Sequence, residues 1–553
     1  MFEYFNREMR QLNHALLEYS QQHPDKARAL NLTEKRYKDP EIDRLLEGVA
    51  FVGSQIKQHI DRDIPEISEL LLGQIAGDFL LPIVATSVLQ VQIMDQQPHI
   101  INQRQRVKDG ACQGDVRHSC YFETKSELHT YPITVDSVEF CLDNQQGCTH
   151  VTLSFDYQGS AALPAVLPLY IHADNDLAYR IYTMLCHDVK EGWAWFYNYP
   201  AQPVTVTGLH TLLMNESKSV LNQLKTFFTA PEQFLYCFIH GLDQLQGGQQ
   251  SCQLELRLTL DQLVESSSQF SSKHLKTNCV NIENAFTTSA EPIQHHDQLD
   301  EHKIVIDHNV PDFYSVVDVK QVFSKEGGAI NQYIPLQALR GHSDQQYYQV
   351  IYRQDKAGQP QSYIRFQKPL DQEQTISCEL LACNNHYPRR FLMPGDINRI
   401  DTNRSVTINN LHRPTPYCVF DGQGERTWRC IAFMQLHISS LLDLANLQSY
   451  LLMCVWHPTS QDIVQKIESI YRINHQVSYQ AYQGVFYPAL MVNVEINESA
   501  YSCVAEVFIW GEWLYAMMLE AMDINHLLQL NVHCMQANVD YQWQQQQGRQ
   551  YAL

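Results

Sequence analysis

The chain is short of positive charge. Its 40 lysines and arginines face 61 aspartates and glutamates, for a formal net charge of −21. So negative a surface repels phosphate backbones and anionic headgroups, and no Lys/Arg run interrupts it, so nucleic acid is not an expected partner. No stretch reaches the roughly 18 uninterrupted apolar residues of a membrane span. The opening residues mix Glu3, Arg7 and Glu8 with Phe2, Tyr4 and Phe5 and lack the basic-then-apolar order of a secretory signal. A cytoplasmic protein without membrane insertion is expected. Tight cysteine motifs are missing too. The 15 cysteines are odd in number and scattered, several within apolar stretches (Cys237, Cys430, Cys454, Cys503), as suits reduced, buried thiols. The closest pairs, Cys112/Cys120, Cys141/Cys148 and Cys378/Cys383, lack the CxxC spacing of a zinc or redox site.

Short catalytic signatures are also absent: there is no GxxxxGK(S/T) phosphate loop, HExxH helix, GxSxG elbow or GxGxxG dinucleotide turn. His295-His296 is the single adjacent histidine pair, in a polar segment from Glu291 to His302 that reads as a loop. A metal there would need a third ligand such as Asp297 or His302. No catalytic residue, cofactor, metal or small-molecule substrate is expected. The enzyme reading left open is a polymer-acting (glycan) hydrolase, whose two carboxylates need only meet in space.

What is present is ordinary globular material: 44% apolar and 18% charged residues over 553 positions, enough for about three domains. Phe2, Phe5, Met9, Leu12, Leu16 and Tyr19 recur at alternating spacings of three and four, the narrow stripe of a helix packing on helices. Pro24 ends that run. Asp39-Pro40 opens a second helix, with Asp as N-cap and Pro at the first helical position. Its stripe is Ile42, Leu45, Val49, Val52, Ile56 and Ile60. Pro65 opens a third, carrying Ile67, Leu70, Leu71, Ile75 and Phe79 and stopping before Pro82.

From about residue 84 the period changes. Leu89, Val91 and Ile93 alternate with glutamine, as in a half-buried strand. Strands are expected at Ile133–Cys141, Val151–Phe155, Val166–Ile171, Phe234–Ile239, Leu254–Thr259, Ile304–Ile306, Tyr314–Val319, Tyr347–Ile351, Ile376–Leu381, Ser405–Ile408 and Val485–Glu495. Helices are expected at Leu177–Leu185, Ser217–Phe228, Leu436–Leu452 and Val504–Met522. Ser266–Ser272 reads as a linker or loop, and the glutamine-rich tail from Trp543 to Leu553 as frayed. The fold class is α+β: an N-terminal helical segment of about three helices, then several β-rich or mixed domains in an elongated subunit. The expected division is 1–83, 84–270, 271–420 and 421–553.

The N-terminal segment carries a family likeness. Tyr4-Phe5-Asn6-Arg7-Glu8-Met9, Leu12, Glu18-Tyr19 and His23-Pro24 resemble the opening of TssF proteins (the ImpG/VasA family), of the form YYxREL…L…EFA…HP. Asp39-Pro40-Glu41-Ile42-Asp43-Arg44-Leu45-Leu46-Glu47 resembles the family's DPHVERLIE, and Ile64-Pro65-Glu66 and Phe79-Leu80-Leu81-Pro82 follow in order. Weaker similarities run on through Cys120–Thr124, Leu224–Phe234, where Lys225-Thr226 replaces Gln-Glu, Thr277-Asn278-Cys279-Val280, Ala382-Cys383-Asn384-Asn385 and Asp523-Ile524-Asn525. The resemblance implies a non-enzymatic baseplate subunit of the contractile type VI secretion machine. It implies partners too: TssG, a second TssF copy, TssK, TssE and the VgrG hub. The baseplate so formed carries the sheath and tube and docks at the inner face of the cytoplasmic membrane through the membrane complex.

On that basis the expected partner interface is Phe2, Phe5, Met9, Leu12, Leu16, Tyr19, Leu45, Val49, Val52 and Ile56, a bundle shared with TssG and the second copy. From periodicity alone, a private bundle is the simpler outcome for the N-terminal stripes. Trp510, Trp513, Met517 and Met518 read as core, and Asn278-Cys279 as a turn held by side-chain hydrogen bonds.

Overall fold

The structure is a computed structural model. It describes residues 5–549 except 13, 16–39, 96, 111–118, 146, 160–162, 197–198, 210–218, 246–251, 261–269, 296–300, 327–328, 337, 339–345, 355–359, 367–373, 401–404, 421–423, 435–437, 458–459 and 483. Strand outweighs helix, 45% against 29%, and the two are largely segregated, as an α+β reading requires. The chain forms two compact units: residues 1–77 with 421–435, and residues 78–420 with 436–553.

The first unit is helical. Residues 5–12 and 14–15 are helical, and a long helix follows at Pro40–Leu80, 41 residues, whose last three belong to the second unit. At 1.5 Å per residue it is roughly 60 Å long. Two helices divided at Pro65 were expected here; the structure has one, running through the proline. Pro65 leaves the Asp61 carbonyl without its N–H partner, which ordinarily breaks a helix. The buried face keeps its phase across the break. Ser54 and Leu72 are both wholly buried and stand about five turns apart, on the same side. The unit also takes in a helix from far along the chain, Gly424–Met434, which buries Thr427 and Cys430 and leaves Trp428 half exposed.

The second unit is built on sheets. A six-stranded sheet runs Ile397–Ile400, Arg106–Asp109, Tyr121–Thr124, Cys279–Glu283, Thr86–Ile93, Val406–Asn410. It takes strands from both sides of residue 270 and is filled by Leu89, Val91, Phe122, Ile282 and Ile408. An antiparallel eight-stranded sheet runs Leu275–Lys276, Val166–Ile171, Tyr236–His240, Gln202–Thr207, Val189–Phe196, Cys252–Leu260, Cys148–Tyr157, Ile133–Asp143. A third sheet is built around Gln374–Cys383 and Ser315–Glu326. The segment read as a loop between Glu291 and His302 in fact gives that sheet two short strands, Ile293–His295 and Glu301–Lys303, with His302 buried. The run expected as a strand at Ile304–Ile306 lies just past the second.

The C-terminal sheet, Ile470–Tyr482, Val485–Ile496, Leu527–Cys534, Val539–Gln547, is two hairpins joined by a parallel pair. A parallel pair needs a crossover, supplied by the helix Val504–Glu520, in which every residue from Glu506 to Leu519 is buried. The tail expected to fray is ordered through Gln547. Its strand pairs with Leu527–Cys534 and sets Trp543 against the crossover helix, stacked on Phe508 at 5.5 Å. A Cβ at Gly511 would overlap the Trp543 ring, so this helix position requires glycine. Trp510 and Trp513 pack on Phe227, Phe228 and Phe234, and Met517 and Met518 are buried, so this helix belongs to the chain's own core.

Buried asparagines hold the joints between sheets. Asn384 Oδ1 accepts from the Tyr121 amide at 3.1 Å and from Asn284 Nδ2 at 2.8 Å, and Asn284 Oδ1 accepts from the Asn384 amide at 2.7 Å. Asn278 sits at φ +55° and bonds both backbone groups of Tyr131, at 2.9 and 2.7 Å. A side chain able to donate and accept at once can stand in for a missing ladder partner.

Candidate interaction surface

On the Pro40–Leu80 helix Leu45, Val49 and Val52 follow at spacings of four and three, one stripe. They are 69%, 56% and 54% exposed. Ala50 and Ser54 lie five and nine residues after Leu45, turned by about 140° and 180° at about 100° per residue, and both are wholly buried. Over residues 45–54 the helix therefore buries small side chains and shows Leu45, Val49 and Val52 to solvent. On the neighbouring flank a Cβ at Gly53 would meet Glu8 Oε2 at 3.6 Å, so the N-terminal helix packs where the long helix has no side chain. Ser54 Oγ satisfies itself by donating to the Phe51 carbonyl at 2.7 Å.

Of the other predicted interface residues, Phe5, Met9 and Leu12 are partly buried. Phe2, Leu16 and Tyr19 lie outside the described residues, as does the Ile56 side chain. Sequence reasoning missed two further exposed groups. One is Leu71 and Ile75 on the same helix. The other is the C-terminal hairpin, where Val477, Tyr479 and Phe486 are 66%, 76% and 75% exposed. The alternation of Val477, Tyr479 and Ala481 with polar neighbours signals a strand with one apolar face but leaves open whether anything in the chain covers it.

Several buried polar groups elsewhere are engaged in structure. Lys225, where the chain departs from the family's Gln-Glu, donates from Nζ to the carbonyls of Asp78, Phe79 and Leu81 at 3.2, 2.9 and 3.0 Å and lies over the Trp456 ring at 4.4 Å. It thereby caps the last turn of the Pro40–Leu80 helix, where a cation opposes the helix dipole. Glu512 accepts from Tyr182 Oη at 2.6 Å and Glu506 pairs with Lys466 at 2.6 Å. Burial pushes the thiols of Cys237, Cys378 and Cys383 up to about 12, and that of Cys279 higher still, away from nucleophilic use. A small cavity is lined by Lys303, Asp312, Tyr314, Ser315, Gln361 and Asn385, among others. Among the described residues lining it Asp312 is the single carboxylate, where glycoside hydrolysis needs two.

The family model for the type VI secretion system protein TssF matches residues 1–550. The chain belongs to the TssF family. It is 22% identical over 374 residues to the type VI secretion system component TssF1 of Pseudomonas aeruginosa, an alignment covering 62% of this chain and 60% of that relative's length. Among solved structures it is similar to a chain of the type VI secretion system TssK–TssF–TssG baseplate subcomplex, with a TM-score of 0.76 and 18% identity, over 92% of this chain and 99% of the other. It is also similar to a chain of the type VI secretion baseplate complex, with a TM-score of 0.64 and 18% identity over the full length of both. At that identity the two likenesses show a shared fold. The likeness read from the N-terminal motifs thus extends over residues 1–550 of the chain.

Proposed function

We propose that this chain is a structural, non-enzymatic subunit of a type VI secretion baseplate. In this reading it joins a TssG partner and a second TssF copy in a wedge core, and TssK, TssE and the VgrG hub attach around it. The platform so formed sits in the cytoplasm against the membrane complex and starts sheath and tube assembly. The carrying observation is the exposed Leu45–Val49–Val52 stripe on a helix whose opposite side is already buried. Being only partly exposed, each such side chain contributes about 1–2 kcal/mol when a partner covers it, a drive toward a shared helical bundle. Kinship with TssF, and fold likeness to chains of solved baseplate assemblies, support the same reading. Among the described residues no helix is long and apolar enough to cross a membrane, which agrees with docking through other proteins.

The test is the mass, by light scattering after gel filtration, of this chain co-expressed with its TssG neighbour. A stable complex of two copies to one is the expected result. A chain that elutes alone at its own mass beside free TssG would overturn the reading.

A further inference from the structure

At the tip of the Ile133–Asp143/Cys148–Tyr157 hairpin, antiparallel register sets Asp143 opposite Cys148 and Cys141 opposite His150. Alternation along a strand puts all four on one face. It is the face opposite the buried Thr149, Val151 and Leu153. The ligand atoms of Asp143, Cys148 and His150 lie within 4.8 Å of one another, and Cys148 Sγ is 3.9 Å from His150 Nε2. Tetrahedral zinc, with bonds of about 2.3 Å to sulfur and about 2.0 Å to nitrogen, holds those two atoms roughly 3.5 Å apart. The arrangement is close to that without a metal.

The surroundings orient the ligands. His150 Nδ1 lies 3.1 Å from Thr259 Oγ1, contributed by the adjacent strand at the matching register position. A proton on Nδ1 donates to that hydroxyl and leaves the Nε2 lone pair facing Cys148, the outer hydrogen bond that fixes a histidine ligand's tautomer. Asp143 Oδ1 accepts from the Gln145 amide at 2.9 Å, which fixes the carboxylate over the turn. Cys141, exposed and directly across from His150, is not among the three groups whose ligand atoms converge, which leaves the fourth tetrahedral position to water.

We infer that Asp143, Cys148 and His150 form a structural zinc site that staples this hairpin. A thiolate, an imidazole and a carboxylate suit a borderline-soft divalent ion, whereas calcium and magnesium take oxygen ligands. Ile133–Asp143 is the edge strand of the eight-stranded sheet, and an ion at its end would hold that edge in register and hinder pairing with other chains.

The full-length chain is dialysed against zinc, then against metal-free buffer, and its metal content is measured. Cobalt(II) is titrated in parallel and followed by thiolate-to-metal absorption. One ion per chain is expected, with affinity reduced more than tenfold in Cys148→Ser and in His150→Gln. Thr259→Val, which leaves all ligands in place, is expected to weaken binding about tenfold. A chain that takes up no zinc, or that keeps it equally in Cys148→Ser and His150→Gln, overturns the site. Should those variants fail to fold, hydrogen exchange of the wild-type chain decides. Zinc is expected to slow amides 141–151, and exchange there unchanged by zinc overturns the inference.

Discussion

The Pro40–Leu80 and Val504–Glu520 helices are both rich in large apolar residues. The first turns Leu45, Val49 and Val52 to solvent, whereas the second buries every residue from Glu506 to Leu519. The second has its surroundings inside the chain. It is the crossover of a parallel pair, so its sheet lies beneath it, and Phe227, Phe228 and Trp543 cover its flanks. Among the described residues of its unit, the first has its burial on the side of Ala50, Ser54 and Leu72. Apolar periodicity thus declares that a face will be buried without saying in whose company.

The contrast can be broken most severely in the crossover helix. Val507→Asp places an uncompensated carboxylate at a wholly buried position, at a cost of several kcal/mol. The expected outcome is loss of soluble protein, read on expression. Gly511→Ala drives a methyl group into the Trp543 ring and is expected to cost about 3 kcal/mol, measured by urea unfolding. An effect of similar size comes from pH. Burial, then the neighbouring His172, pulls His412 down to about 4 from 6.5, and its Nε2 lies 2.7 Å from Tyr170 Oη. The unfolded chain binds the extra proton first. The contribution of neutral His412 is therefore complete above pH 6.5 and is lost as pH falls toward 4, on the order of 3 kcal/mol. His412→Gln should flatten that part of the stability–pH curve. The smallest change in stability should come from Val49→Asp, the same chemistry as Val507→Asp on the exposed stripe. It should shift unfolding by no more than about 0.5 kcal/mol while sharply reducing co-purification with TssG. Equal damage from the two aspartates would erase the distinction between the helices.

Local pattern made much of the fold legible. Strands such as Val166–Ile171 begin and end where the apolar run places them, and the helix expected at Ser217–Phe228 is found at Val220–Thr229. The failures share a cause. Pro65 reads as a boundary because the penalty of an interior proline is local, whereas the burial of Ser54 and Leu72 on one side is tertiary. The glutamines after Trp543 read as frayed because their order depends on an edge pairing and on a glycine thirty residues earlier. The recruitment of Gly424–Met434 into the N-terminal unit leaves no mark in any window of sequence. The candidate stripe was legible as a stripe, while its exposure was not. The family landmarks Asn278 and Asn384 show a related lesson: both side chains are engaged in hydrogen bonds to backbone groups at sheet joints.

One pairing in the six-stranded sheet also constrains how the protein is made. Leu89 takes Asn410 as its partner, more than three hundred residues later. At about 5–20 residues per second, a ribosome spends tens of seconds between releasing one strand and the other. Throughout that interval Thr86–Ile93 waits with one edge unanswered. The first unit waits as well, since it takes in residues 421–435. A nascent chain stopped short of residue 410 would be a client for chaperones rather than a smaller version of the protein, and separately expressed halves would have to find each other before either could close.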